Sequence, residues 1–212
     1  MAPALLEVPL LEVEGLACRR GGRQVFDRLS FALGAGELLA LTGRNGSGKT
    51  TLLRALALLV RPEIGTIRWQ GANVQAEPET WRSRLAWLGH LDGLKGDLSV
   101  RENLLVAERL RGGPPADDRL DGVLIAFDLS SLALRPVRVL SAGQRRRTAL
   151  ARVLLSQAPV WLLDEPLNAL DQPAQAAFRT ALRTHLAAGG LAIAATHADL
   201  GMPRPRTLEL AT

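Results

Sequence analysis

The stretch Gly43-Arg44-Asn45-Gly46-Ser47-Gly48-Lys49-Thr50 follows the pattern G-x-x-x-x-G-K-[ST]. These residue types at this spacing suit the gripping of a polyphosphate. Glycines let successive backbone N–H groups converge on phosphate oxygens, and a helix starting at the same place adds the positive end of its dipole. Arg44, Asn45, Gly46, Ser47 and Gly48 would line the cradle, with Thr51 beside it. Lys49 would reach the β- and γ-phosphates as a compact point charge, and Thr50 would offer its hydroxyl to Mg²⁺. The choice of lysine is informative. The chain holds 26 Lys+Arg, and only Lys49 and Lys95 are lysines. Arginine's broad planar fork does not fit such a cradle in the same way.

A second chemical stretch is Val160-Trp161-Leu162-Leu163-Asp164-Glu165-Pro166. The apolar residues read as a buried strand whose carboxyl end carries two acids. The phosphate-type loop also sits at the carboxyl end of a strand, so the two meet. Asp164 would hold Mg²⁺, largely through water, and Glu165 would orient and activate an attacking water. A third stretch, Leu140-Ser141-Ala142-Gly143-Gln144, reads in isolation as an ordinary helix start with Ser141 as N-cap. Its place between the other two argues for more.

The elements that must position these groups follow from periodicity. "LLEVEGL" and "QVFDRLSFAL" alternate like strands of a half-buried antiparallel sheet. "ELLALTG" is a continuous apolar run before a glycine and reads as a buried strand, followed by the helix "KTTLLRALALL". "GTIRWQG" and "RLAWLGH" read as further strands. Residues 98–140 turn helical in period around the breaker "RGGPPADD" and look like an inserted helical subdomain. After "LSAGQRRRTALARVLLSQ" come the strand "PVWLLDEP", a helix over about 173–188, the strand "GLAIAATH" and a last strand near "RTLEL". Strands alternating with helices after an antiparallel start predict an α/β fold with a parallel sheet. At 212 residues this is a single domain spanning 1–212.

Composition narrows the classes. The chain is 47% hydrophobic, enough for a sizeable core, and its one cysteine, Cys18, excludes an internal disulfide framework. The apolar start "MAPALLEVPLLEVEG" carries three acids and no early base, so it reads as a poor signal peptide. No apolar run approaches the roughly 18 residues of a membrane span. The formal net charge of +5 reads as charge on solvated faces. The alternative is a basic surface for nucleic acid, but the clusters "CRRGGR" and "QRRRTALAR" are short and have no interleaved aromatics.

Together the three stretches resemble the ATP-binding cassette (ABC) ATPases, and the resemblance covers nearly the whole chain. It implies a P-loop nucleotide-binding domain, with an antiparallel β subdomain and a small helical subdomain on the core, that hydrolyses ATP with Mg²⁺. It also implies a homodimer packed head to tail. Ser141, Gly143 and Gln144 of each copy would then close on the nucleotide of the other. Ala142 stands where the family usually has glycine. "NALD" at 168–171 is similar to the loop that couples the two sites, and His197 of "ATH" to the switch that reaches the γ-phosphate.

Two departures are informative. The family's adenine-stacking aromatic falls near Arg20, whose planar guanidinium can also stack on a base. The family's glutamine after the strand "LAWLGH" is missing, with no Gln between Gln75 and Gln144. His90 or Asp92 would supply that polar contact to Mg²⁺ or water, with His90 preferred; the alternative is that the contact is absent.

The small size, Arg20, "GH…LK…LS…EN" and "LSAGQRRR" resemble one branch, the ATP-binding subunits of haem-exporter-type transporters in bacterial cytochrome c maturation. The branch implies a peripheral place on the cytoplasmic face of the inner membrane and membrane-spanning partners like CcmB and CcmC. No nucleic-acid partner is expected. No direct haem binding is expected either, because Cys18 is followed by Arg and no Cys-x-x-Cys-His is present. His185 reads as a surface residue. The competing readings are the ATPase subunit of a drug or lipid exporter and an ABC ATPase acting on nucleic acid.

Overall fold

A computed structural model describes residues 10–112, 117–203 and 205–210. The reading of residues 1–9 and the centre of the breaker, 113–116, lie outside the described residues. The chain runs β1 (Leu11–Arg20), β2 (Arg23–Leu33), β3 (Leu38–Thr42), α1 (Lys49–Leu56), β4 (Ile64–Trp69), β5 (Ala72–Asn73) and α2 (Pro78–Ser83). It continues with β6 (Leu85–Leu88), α3 (Val100–Leu110), α4 (Asp117–Ala126), α5 (Ala142–Leu155), β7 (Val160–Asp164), α6 (Gln172–Ala187), β8 (Leu191–Ala195) and β9 (Arg206–Glu209).

Two sheets divide these strands. One is antiparallel in the order β2-β1-β4-β5, so "GTIRWQG" returns to pair with the first strand. The other is parallel in the order β6-β7-β8-β3-β9. The parallel strands explain their own sequences. A strand covered on both faces must be apolar at every position. In β7, Val160 and Leu162 face one core, while Trp161 and Leu163 face the other. In β8, Leu191, Ile193 and Ala195 join the first core, with Ala192 and Ala194 in the second. The first core lies under α1 and the antiparallel sheet, and the second is built with α3–α6.

The helical region is pinned where it begins. Ser99 caps α3 and accepts from Glu102 N, while Glu102 Oε2 accepts from the Ser99 N–H at 2.7 Å. Those bonds hold the Glu102 carboxyl below its usual range, the Ser99 backbone N–H contributing most. Buried Asn103 accepts from Lys95 N at 2.7 Å and donates to the carbonyls of Lys95, Leu98 and Ser99. Glu102 and Asn103 thus fix the loop leading from β6 into the helices.

One expectation needs correcting. His185 is half-buried and packed, contrary to its expected exposure. Its ring stacks on Trp161, with centroids 4.0 Å apart and planes 10° from parallel, and Nε2 lies 3.1 Å from the Leu191 carbonyl. Burial pushes its pKa below the ordinary imidazole value. Gly190 makes room for it, since a Cβ there would overlap the imidazole ring. The reversal of chain direction after α6 brings that glycine back onto the helix, which helical spacing alone does not reveal.

Candidate functional site

Three parallel strands end side by side. β3 runs into the 43–50 loop, β7 into Asp164 and Glu165, and β8 into Thr196 and His197. This is where an open α/β sheet presents a ligand crevice, at the carboxyl ends of its strands. A cleft of about 310 Å³ lies there, lined by Asn45, Gly46, Gly48, Lys49, Thr50, Thr51, His90, Asp164 and Glu165.

The loop reaches its shape through glycine. Gly43, Gly46 and Gly48 all have positive φ. Gly48 is the N-cap of α1, and a Cβ there would sit 2.5 Å from Val25 Cγ1. That contact and the φ of 100° together favour glycine at 48, since any other residue would strain the backbone and displace the Val25 side chain. Lys49 is 8% exposed. Its Nζ donates to the carbonyls of Gly43 at 2.6 Å and Arg44 at 3.1 Å, and it lies 3.4 Å from His197 Nε2. The ammonium is thus folded back under its own loop, poised at the cleft. Ser47 is buried, and its Oγ has no hydrogen-bond partner among the described residues.

Asp164 is 4% exposed, and its Oδ2 accepts from Thr50 Oγ1 at 2.9 Å. A hydroxyl and a carboxylate, both hard oxygens, therefore meet at the floor of the cleft. Among the described residues no cluster of three or more His, Cys, Asp or Glu could hold a metal alone. That donor set fits Mg²⁺, which takes one or two protein oxygens and completes its octahedron with water and substrate phosphate.

Glu165 adopts a left-handed backbone with φ 46°. For a side chain with a Cβ that conformation costs about 1–2 kcal/mol. Its N–H donates to the Ala195 carbonyl at 2.8 Å. A strained, half-buried acid at the mouth of a phosphate-type cleft is a position held by its surroundings.

The structure does not bring every predicted site residue into the cleft. His90 lines it, whereas Asp92 accepts from Arg146 Nη1 at 3.3 Å and does not. Arg44 is exposed and contributes its carbonyl to Lys49. Arg20 is exposed where β1 turns into β2, paired with Arg23, and is not a lining residue. Ser141, Gly143 and Gln144 lie at the start of α5, away from this cleft. Ser141 Oγ accepts from Gln144 N, and Gln144 Oε1 accepts from Ser141 N, a reciprocal cap. Gly143 packs where a Cβ would meet the Ala169 carbonyl at 2.8 Å.

Sequence reasoning missed Arg146. The run Arg145-Arg146-Arg147 reads as a solvated cluster, yet Arg146 is 5% exposed and donates to the carbonyls of Gly89, Asp164 and Glu165. A signal was present. Arg146 shares the helical spacing of the buried Leu150 and Val153, so it lies on the apolar face of α5.

A P-loop on a parallel sheet, an acid pair at the end of the neighbouring strand and a capped "LSAGQ" helix define an ABC-type ATPase. The chain matches the ABC transporter family over residues 26–168, and it belongs to that family. Its overall shape is that of a solved structure described as the ATP-binding subunit of an ABC transporter. The TM-score is 0.83 at 28% identity, covering 89% of this chain and 80% of the other. It is 46% identical over 95% of its length to a protein of Nitrosococcus oceani named cytochrome c biogenesis ATP-binding export protein CcmA, 92% of which is covered. It is 50% identical over 91% of its length to the protein of the same name from Rhodopseudomonas palustris, 94% of which is covered.

Proposed function

We propose that this chain is the ATP-hydrolysing subunit of an inner-membrane transporter that supports haem export or delivery in c-type cytochrome maturation. One observation carries the branch: relatives 43–50% identical over most of the chain bear the CcmA name. The chemistry is supported by the cleft that gathers Lys49, Thr50, Asp164, Glu165 and His90, with His197 against Lys49.

The residues have these roles in the reading. Backbone N–H groups of Asn45 to Thr51 and the N-terminus of α1 hold the phosphates. Lys49 turns from its loop carbonyls onto the β- and γ-phosphates. Thr50 and Asp164 hold Mg²⁺, which when bound offsets the charge developing on the transferred phosphoryl group. Glu165 accepts a proton from the attacking water and aims it in line with the β/γ bond. His197 reaches the γ-phosphate, His90 supplies a polar contact to Mg²⁺ or water, and Arg20 stacks on adenine.

The single domain 1–212 acts as a homodimer in this reading. Ser141 is exposed and lies outside its own cleft, which supports its pairing, with Gly143 and Gln144, to the nucleotide of a second copy. CcmB- and CcmC-like subunits dock where Leu91, Leu134 and Val139 stand 82%, 81% and 61% exposed. Leu91 lies in the 90–97 loop, and Leu134 and Val139 lie in the helical subdomain at 98–140. Among the described residues no helix is long and apolar enough to cross a membrane. In this reading the partner subunits hold the chain at the cytoplasmic face of the inner membrane.

The test is a haem stain for covalent c-type cytochromes in cells carrying a chromosomal Lys49→Ala. The stained bands should vanish while the membrane partners are still made. Bands of normal intensity would refute the haem assignment.

A further inference from the structure

Arg146 meets four oxygens drawn from two separate segments. Nη2 donates to the carbonyls of Asp164 at 2.7 Å and Glu165 at 2.6 Å. Nη1 donates to the Gly89 carbonyl at 2.9 Å and to Asp92 Oδ1 at 3.3 Å. Among the described residues Nε has no hydrogen-bond partner. A guanidinium this deeply buried needs its donors satisfied, and three of its four acceptors are backbone carbonyls.

The two carbonyls on Nη2 are the ones whose relation defines φ of Glu165. That torsion runs from the carbonyl carbon of Asp164 to the carbonyl carbon of Glu165. At φ 46° one nitrogen bonds both oxygens. The bridge therefore offsets the cost of the left-handed conformation and opposes its relaxation. The other end of the guanidinium holds Gly89 and Asp92, which flank the His90 that lines the cleft. Arg152 strengthens the same loop by donating to the carbonyls of Asp92 at 2.9 Å and Gly93 at 2.7 Å.

We propose that Arg146 is a positioning residue for ATP hydrolysis: it fixes the backbone of Glu165, and with it the direction of the carboxylate, and ties that direction to the 89–92 loop. The proposal rests on the reading of Glu165 as the group that activates water. A shift of the 89–92 loop then pulls on the carbonyls of residues 164 and 165 through a single rigid plane.

The experiment uses the full chain in four variants beside wild type: Arg146→Gln, Arg146→Lys, Asp92→Asn and Glu165→Gln. Single-turnover hydrolysis of radiolabelled ATP, with protein in excess, separates cleavage from release. Binding of a fluorescent ATP analogue with Mg²⁺ gives Kd, and a thermal melt reports folding. Arg146→Gln should cleave about 10- to 100-fold more slowly, the scale expected for a misplaced catalytic group. Its Kd should stay within about twofold of wild type, because binding and chemistry are then affected separately. Arg146→Lys should recover part of the rate, since one ammonium still bridges two carbonyls. Asp92→Asn should slow cleavage less than Arg146→Gln.

Wild-type cleavage in folded Arg146→Gln, with Glu165→Gln inactive, overturns the proposal. So does a rate loss matched by equal loss of affinity and melting temperature, which marks a purely structural arginine. If Arg146→Gln does not fold, Arg146→Lys and Asp92→Asn decide, and wild-type rates in both overturn it. Near wild-type turnover in Glu165→Gln overturns the Glu165 reading itself and takes the proposal with it.

Discussion

Asp164→Asn separates a metal ligand from a structural acid. Asp164 is 4% exposed and accepts one hydrogen bond from Thr50 Oγ1 at 2.9 Å. Asparagine has the same shape, and its amide oxygen can accept the same bond. Exchanging a carboxylate acceptor, worth about 1.5–3 kcal/mol, for a neutral amide oxygen, worth about 0.5–1.5 kcal/mol, costs about 1 kcal/mol. For a chain of this size that is a melting shift of about 2–4 °C. Ligand stabilisation is larger. At a free ligand concentration about 100 times Kd, binding adds about 2.7 kcal/mol, or roughly 5–10 °C at the same scale. The assay is a set of thermal melts with a non-hydrolysable ATP analogue, run with EDTA and then with Mg²⁺. Wild type should gain a second increment when Mg²⁺ replaces EDTA. Asp164→Asn should melt within that small shift of wild type without ligand, keep a shift with the analogue in EDTA, and lose the Mg²⁺ increment. A full Mg²⁺ increment in the Asn variant would refute the assignment of Asp164 to the metal.

Three further outcomes are expected. Glu165→Gln should bind Mg·ATP, hydrolyse it about 10²–10⁴-fold more slowly, as for loss of a general base, and accumulate a dimer on size exclusion with ATP; turnover near wild type would remove Glu165 from the reaction. His90→Ala should lower turnover with little change in nucleotide affinity, and unchanged turnover would leave the missing glutamine's contact unfilled. His185 gives a pH signature: its folded pKa lies below the unfolded 6.5, so the unfolded chain binds the extra proton first. Its contribution is complete above about pH 6.5 and is lost as pH falls from there through the depressed folded value. Urea denaturation from pH 8 to pH 5 should therefore show a falling midpoint that His185→Phe flattens, and equal slopes in the two proteins would contradict the burial argument.

The parts of this molecule legible in the sequence are those that lie within one contiguous stretch. The 43–50 loop shows because phosphate cradling needs consecutive backbone N–H groups, which forces glycines and lysine into one run. Asp164 and Glu165 show because a strand buried on both faces announces its end by turning abruptly acidic. Positions set by distant contacts do not show. His90 and Asp92 are two residues apart and equally polar, and only the grip of Arg146 on Asp92 separates them. His185 reads as exposed because the partner that covers it, Trp161, is 24 positions earlier in a different element. Arg146 is legible only to a reading that lets apolar spacing outweigh charge. Its own side chain is the polar exception on a buried helix face.

That exception gives the three arginines after Gln144 separate duties. Arg145 donates to the Leu140 carbonyl and closes the loop before α5. Arg147 donates to the Phe127 carbonyl and pairs with Asp128 at 3.1 Å, joining α5 to the end of α4. Arg146 points to the other side, into the junction of β7 and the 89–92 loop. Helix geometry makes this unavoidable, because successive residues are turned about 100° apart. One short basic run therefore holds the end of α4 with one guanidinium and the backbone of Glu165 with its neighbour. A rotation of α5 moves both attachments together. In the proposed dimer the first turn of that same helix, at Ser141 to Gln144, faces the second copy's nucleotide. Closure on one ATP would then be felt at Glu165 of the other site through about one turn of α5, with no need for a chain of loosely packed side chains between the two.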